Sequence, residues 1–555
     1  MTSVIERNSV TLSIVSGSTS TPLLDQTIGS NLAETVARFG DEEALVVVHQ
    51  DLRQTWNEFS ATIDDVAKGL MGMGINAGDR VGMWSPNYAE WIYVQYATAA
   101  IGAVLVNINP AYRISELRYA LDHSGCKMLI TRAEYLTSMY RDMVERVAPD
   151  LPDLEHVIYY DTDDWEDMLA SGHDVSDGEL RERAGVLEPS DAINIQYTSG
   201  TTGHPKGATL SHASILNNAH DVGVSCAYTH EDRVCIPVPF YHCFGMVLGN
   251  MACSVHGATM VIPAPTFDVA SVLHAVSDEQ CTSLYGVPTM FIAELADPLL
   301  TELDVSSLRT GIMAGSPCPI EVMHGVMDQM GMNEVTIAYG MTETSPVSTQ
   351  TGGDDSVDHR VSTVGRVLPH VESKIIDPDT GDIVERGEPG EYCTRGYHVM
   401  LGYWNDPDKT ADAIDAEGWM HSGDLATMDE DGYVNIVGRI KDMIIRGGEN
   451  VYPREIEEFL LTHPAVMDVQ VIGVPDERFG EEIMAWVQLS SGAHLTEDEL
   501  RGFCKDQIAH FKVPRYVKFV SEFPLTVTGK VRKVEMRDKS IADLGLQEAA
   551  STETA

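Results

Sequence analysis

The segment Tyr197-Thr198-Ser199-Gly200-Thr201-Thr202-Gly203-His204-Pro205-Lys206-Gly207 sets three glycines within eight residues, beside four aliphatic hydroxyls and one lysine. Glycines at that density let backbone N–H groups converge, and the hydroxyls and the ammonium add further donors. Such a set suits a triphosphate, whose oxygens only accept. The GxxxxGK[ST] spacing of a Walker loop is absent. Taken alone, a Gly/Thr loop also fits a plain turn. The same holds for other single residues that could do chemistry: Glu343 and Asp424 read singly as surface carboxylates or caps, Tyr339 as core packing, and Lys530 as an exposed lysine in a Thr-Gly-Lys turn.

These residues need elements to hold them. The loop follows the strand-like DAINIQY and precedes a helix beginning near Ser211. Upstream and downstream, β-branched runs (EALVVV, DRVGMW, AVLVNI, KMLITR, then ATMVIP, CTSLYG, EVTIAYG) alternate with helical patterns. That alternation predicts α/β layers with largely parallel sheets. The uncharged run between Glu90 and Arg113 carries Gln95, Asn107, Asn109, Gly102 and Pro110, so it reads as a buried helix, a glycine break and a strand rather than a membrane span. From about residue 361 Gly/Asp turns separate short strands, as in a small antiparallel β unit. A separate α+β module is expected from residue 441 to 545, its first clear helix PREIEEFLLTHPAV opening at Pro453. Residues 1–25 and 546–555 read as flexible tails, which leaves 26–440 as the large domain.

Composition narrows the function. A chain of 555 residues with 43% hydrophobic and 22% charged residues has the material for more than one buried core. Its 84 acidic against 37 basic residues give a net charge of −47, which disfavours nucleic acid and anionic lipid as partners. Against that background, Arg501 to Lys539 holds ten basic residues opposed by Asp506, Glu522, Glu535 and Asp538. This stretch fits either a solvated face or a site for a small polyanion. The nine cysteines are scattered without a CxxC pair, which points to reduced thiols. The N-terminus lacks a secretory pattern, and a cytoplasmic protein is expected.

Set in order, the motifs resemble those of the adenylate-forming superfamily, which includes acyl-CoA synthetases, 4-coumarate–CoA ligases, luciferases and peptide-synthetase adenylation domains. YTSGTTGHPKGA resembles its phosphate loop. Tyr339-Gly340-Met341-Thr342-Glu343-Thr344, Gly418-Trp419-Met420-His421-Ser422-Gly423-Asp424, Gly438-Arg439-Ile440-Lys441-Asp442 and Pro524-Leu525-Thr526-Val527-Thr528-Gly529-Lys530 follow in the family's order. The likeness extends upstream through GDRVGMWSPNYAEW and so covers nearly the whole chain. It implies a large N-terminal domain, with two α/β subdomains and a small β-barrel-like one, followed by a small mobile α+β C-terminal domain hinged at Lys441.

The resemblance also implies roles. Thr198, Ser199, Gly200, Thr201, Thr202, Gly203 and Lys206 would hold the β- and γ-phosphates of ATP. Tyr339 would lie against adenine with Gly315 and Ser316 alongside, Thr342 would bond the α-phosphate, and Glu343 would bind Mg²⁺. Asp424 would accept the ribose hydroxyls, with Arg439 in support. Lys530 would stabilise the charge that builds as a carboxylate attacks the α-phosphorus, a step that needs no general base. Rotation about Lys441 would then withdraw Lys530 and bring Gly447 and Gly448 to the pantetheine arm of coenzyme A.

The segments Phe240–Met246, Tyr285–Met290 and Gly311–Gly315 would form the acyl pocket. They are apolar and small and carry no fixed positive charge, which favours a monocarboxylic, medium- or long-chain fatty acid. His242 would gate that pocket, although a packed core histidine fits nearly as well. The expected activity is therefore an ATP-dependent acid–CoA ligase of lipid metabolism, releasing pyrophosphate and then AMP. A fatty-acyl-AMP ligase with another acceptor and an inactive binding or scaffold relative stand as alternatives. A peptide-synthetase unit is disfavoured because no Gly-Gly-x-Ser carrier site follows Lys530. A homodimer and a peripheral apolar contact with a membrane are both compatible with this reading.

Overall fold

The computed structural model describes residues 12–198, 205–316, 318–446, 449–476, 478–505, 507–525 and 531–547, the side chains of 449 and 450 excepted. Its contacts divide the chain into two units. One comprises residues 15–373 and 394–421; the other comprises 1–14, 374–393 and 422–555. The chain passes from one to the other within the strands Ile14–Ser16, Val371–Ile376, Gly390–Gly396 and Met420–Met428. The expected domain boundary at 440/441 lies inside the second unit.

The first unit is α/β. A seven-stranded sheet runs in the order Gly402–Tyr403, Lys206–Ser211, Ala192–Thr198, Val104–Ile108, Arg80–Trp84, Cys126–Thr131, His156–Tyr159. Its last five strands are parallel, and the two at the Gly402 end pair antiparallel. A nine-stranded sheet is likewise parallel from Glu334–Gly340 through Thr310–Ala314, Ser283–Gly286, Arg233–Cys235 and Thr259–Ile262 to Glu43–Val47. Parallel strands need covered faces. Helices such as Trp56–Gly72 and Ala89–Ile101 supply the cover, burying Trp56, Phe59, Trp91 and Tyr96 in one continuous core.

The apolar run 90–113 is the predicted helix, break and strand. Ala89–Ile101 is buried at every position except Glu90 and Ala100, Gly102 ends it at φ 73°, and Val104–Ile108 is fully buried. A left-handed residue at that point favours glycine. The buried amide of Gln95 donates to Met246 O at 3.1 Å, so its polarity is satisfied inside protein. Among the described residues no helix is long and apolar enough to cross a membrane.

The second unit contains, from Ser422 on, the antiparallel pair of Met420–Met428 with Val434–Arg439, as the Gly/Asp turns predict. It also contains an α+β sheet whose long hairpin, Val466–Asp476 with Gly480–Leu489, packs against the helix Pro453–Leu461. Tyr516–Phe519 joins Gly480–Leu489 in parallel. The helix Lys533–Leu544 lies on the same hairpin, with Met536 buried against Trp486.

The tails need correction. Ser13 is buried, Ile14–Ser16 forms a strand, and Gly17 N donates to Val371 O at 2.7 Å. Leu24 exchanges two hydrogen bonds with the Asn217 amide. The Ser/Thr-rich composition concealed a short β-branched pair, Ile14-Val15, that adds to a sheet edge. At the other end Leu546 packs beside Trp486, while 1–11 and 548–555 lie outside the described residues.

Asp468, on the edge strand of the hairpin, makes a testable case. Burial pushes its carboxyl up from 3.8 to about 6, and the neighbouring Glu457 adds to the rise. The folded state therefore binds this proton more tightly than the unfolded chain. Ionised Asp468 costs stability above about pH 6, and the cost fades as pH falls toward 4. Asp468→Asn is expected to raise stability by roughly 1–2 kcal/mol at neutral to alkaline pH and by little near pH 4. Denaturant melts across that range check it, and a gain that does not depend on pH would contradict the assignment.

Candidate active site

The strand Ala192–Thr198 ends where the glycine loop begins, and the chain returns as Lys206–Ser211, with Thr198 opposite Lys206 in the ladder. Ser199, Gly200, Thr201, Thr202 and Gly203 lie outside the described residues, as do Gly447, Gly448 and Lys530. The loop's two stalks, however, are fixed by the sheet.

Glu343 comes to these stalks from another element. It sits in the tight turn Thr342–Thr344 after the strand Glu334–Gly340, and it is only 8% exposed. Thr344 Oγ pins that turn by donating to Pro346 O at 2.9 Å. Gly340 is required there, because a Cβ would stand 1.9 Å from Pro346 O. Glu343 Oε1 accepts from Tyr403 OH at 2.8 Å and from Thr198 Oγ at 3.3 Å. Lys206 Nζ lies 3.3 Å from the same phenol oxygen and 4.4 Å from the ring centre. Four residues remote in sequence thus meet at one point.

Tyr403 was not legible as a site residue. Its neighbours Leu401-Gly402-Tyr403-Trp404 carry no recognisable motif, and only pairing exposes the role. Gly402–Tyr403 is a two-residue strand on the edge of Lys206–Ser211, with Tyr403 opposite Ala208. Burial and the adjacent Glu343 carboxylate push the Tyr403 phenol well above its ordinary value, so it remains a donor at physiological pH.

Glu343 is set apart from three other buried carboxylates that cations neutralise. Glu482 takes a bidentate guanidinium from Arg446 at 2.8 Å, Asp232 takes Arg309 at 2.9 Å, and Glu457 takes Lys533 at 2.7 Å. Among the described residues Glu343 has no cation within ion-pair distance, only hydroxyl donors. A buried carboxylate so placed retains its attraction for a cation. The donor set, carboxylate and hydroxyl oxygens with an ammonium nearby, fits Mg²⁺ carried on a polyphosphate.

Other predicted residues group around this point. Gly315, Ser316 and Tyr339 follow or end the neighbouring parallel strands Thr310–Ala314 and Glu334–Gly340, where Ala314 pairs with Ala338. The carboxyl ends of parallel strands are where open α/β sheets bind ligands. Thr342 Oγ lies 3.9 Å from Cys243 Sγ, a contact with no sequence signal, which links the turn to the predicted acyl segment. In that segment His242 Nδ1 accepts from Phe244 N at 3.1 Å at the head of the buried π-helix Phe244–Met251, and Phe244 stacks on Tyr285.

In the second unit, Asp424 and Arg439 face each other across the hairpin. Arg439 Nε reaches Asp424 Oδ1 at 3.0 Å, with the aspartate buried and the arginine half exposed. Lys441 is exposed in the turn Ile440–Asp442 that follows.

Comparison with known proteins agrees with this geometry. The AMP-binding enzyme family matches residues 32–404, and the AMP-binding enzyme C-terminal domain matches 455–530. YngI of Bacillus subtilis is 50% identical over 94% of this chain and 98% of its own. The mitochondrial medium-chain acyl-CoA ligase ACSF2 of Danio rerio is 44% identical over 97% of this chain and 92% of its own. Among solved structures, ATP-bound MatB from Rhodopseudomonas palustris superposes with a TM-score of 0.82 at 30% identity, covering 94% of this chain and all of that one. The chain belongs to the AMP-binding enzyme family and is an AMP-forming acyl-CoA ligase that uses ATP, Mg²⁺ and coenzyme A.

Proposed function

We propose that the acid is a medium-chain monocarboxylic fatty acid. The observation that carries this is the character of the segments beside Thr342. Phe240, Phe244, Met246, Tyr285, Ile312 and Met313 are buried, and no lysine or arginine occurs in the three segments to meet a second carboxylate. The medium-chain ligase relative supports the same length class. The working chain is proposed to act in the cytoplasm, and a dimer is compatible with it.

In the proposed mechanism the acid's carboxylate oxygen attacks the α-phosphorus and pyrophosphate leaves. Glu343, with Thr198 beside it, would hold Mg²⁺, which when bound neutralises charge on the polyphosphate. Thr198, the glycine loop and Lys206 hold the β- and γ-phosphates, and Tyr403 fixes the spacing between Lys206 and Glu343. Thr342 donates to the α-phosphate, Tyr339 covers adenine beside Gly315 and Ser316, and Asp424 accepts the ribose hydroxyls while Arg439 orients it. Lys530 stabilises the transition state of this first step. Residues 441–545 then turn about Lys441, Gly447 and Gly448 approach the pantetheine, and the thiol attacks the adenylate carbonyl with loss of AMP. His242 stands at the mouth of the acyl pocket.

Pyrophosphate and acyl-CoA release should be measured across straight-chain acids from acetate to palmitate, with and without coenzyme A. Thioester that requires coenzyme A and peaks at medium chain length is the expected result. A maximum at acetate or palmitate would overturn the chain-length reading, and adenylate without thioester would move the acceptor elsewhere. Tyr403→Phe should raise KM for MgATP roughly threefold to tenfold, the worth of one hydrogen bond, and an unchanged KM would remove Tyr403 from the site. Lys530→Ala should slow adenylation by about a hundredfold or more while still passing a supplied acyl-adenylate to coenzyme A. Equal loss of both half-reactions in a folded variant would refute the two-conformation scheme.

A further inference from the structure

The two stalks of the phosphate loop share an anchor that the mechanism above does not use. Tyr197 precedes the loop and Pro205 ends it, and both are tied to one helix, Ile114–Ser124. Tyr119 OH donates to Pro205 O at 3.0 Å. On the entry side Tyr197 OH donates to Ala120 O at 3.1 Å. That bond uses the phenol's single proton, so the 3.0 Å contact between His123 Nδ1 and Tyr197 OH has the imidazole N–H as donor. Tyr119 and His123 stack with ring centres 5.2 Å apart at 18°, and both meet Tyr197 edge-on, at 6.1 and 5.9 Å. The rings form one packed set with three hydrogen bonds.

The helix itself is held from outside the loop. Arg80 Nε donates to Ser124 O at 2.9 Å and Arg80 Nη2 to Gly125 O at 2.8 Å, satisfying carbonyls at the helix C-terminus. The edge strand that carries Tyr403 joins the same support, since Trp404 N donates to Gly207 O at 2.7 Å and Arg80 lies over the Trp404 ring. Thr198 and Lys206, the residues next to the two anchor points, are thereby fixed in the sheet. Fixing both in advance spares the state that binds phosphate the cost of ordering them, which is preorganisation.

We infer that Tyr119 and His123 are positioning residues for MgATP: they clamp the strand ends that carry Thr198 and Lys206 and so set the affinity for the triphosphate without touching it. The inference rests on the reading that residues 197–207 hold the β- and γ-phosphates. It makes a distinction that a merely structural role would not. The β- and γ-phosphates leave with pyrophosphate, so the clamp matters to adenylation and not to transfer of the acyl group to coenzyme A.

The test uses the full-length enzyme with Tyr119→Phe, which keeps the stack and removes one hydroxyl, and His123→Leu as a second variant. ATP–pyrophosphate exchange gives KM for MgATP and for the acid, and thioester formation from synthetic acyl-adenylate gives the second step. For Tyr119→Phe the expectation is a rise of roughly threefold to tenfold in KM for MgATP, with KM for the acid, the second step and the melting temperature unchanged. His123→Leu should move the same constant in the same direction. An unchanged KM for MgATP in both variants, or equal loss in both half-reactions, overturns the clamp. Lys206→Ala separates the two failures. If it raises KM for MgATP while both clamp variants are silent, the clamp alone is wrong. If Lys206→Ala is silent too, the phosphate-loop reading falls and the clamp with it.

Discussion

Burying a carboxylate is costly unless a cation or several donors meet it, and the carboxylate of the candidate site is met differently from those of three ion pairs in the scaffold. Glu482, Asp232 and Glu457 are neutralised by Arg446, Arg309 and Lys533 and serve as fixed joints of the scaffold. Glu343 is held by two neutral hydroxyls, with Lys206 kept one residue away behind Tyr403. Hydroxyls lower the cost of burial but leave the charge uncancelled. The surrounding elements serve that arrangement: a pinned turn delivers Glu343, a ladder delivers Thr198 opposite Lys206, and a two-residue edge strand delivers the phenol between them.

The alternation of strand and helix, the helix–glycine–strand reading of residues 90–113 and the carboxylate turn at Glu343 were all legible in the sequence. Each is written locally, by periodicity, by a glycine or by an ordered motif. Tyr403 and the contact of Cys243 with Thr342 were not legible, because they depend on which elements become neighbours. Tyr403 gains its place from pairing with Ala208, nearly two hundred residues upstream, and no local pattern encodes that register. The N-terminal segment was misread for a related reason. A strand as short as Ile14–Ser16 has no periodicity of its own and is stable only because a sheet edge accepts it.

Charge poses the remaining constraint. ATP and coenzyme A are polyanions, yet the chain carries a net charge of −47. At physiological ionic strength the Debye length is about 8 Å, so acidic residues far from the site are largely screened and binding depends on the groups nearest the phosphates. In the proposed site the described groups on the phosphate side are the hydroxyls of Thr198 and Tyr403, with Lys206 beside them. Neutral donors bind phosphate by geometry more than by field, which makes the exact disposition of such donors matter more here than on a basic protein. An acidic chain therefore has reason to hold the strand ends that carry such donors rigidly, and the helix Ile114–Ser124, itself tied down by Arg80, bonds the residues beside both Thr198 and Lys206.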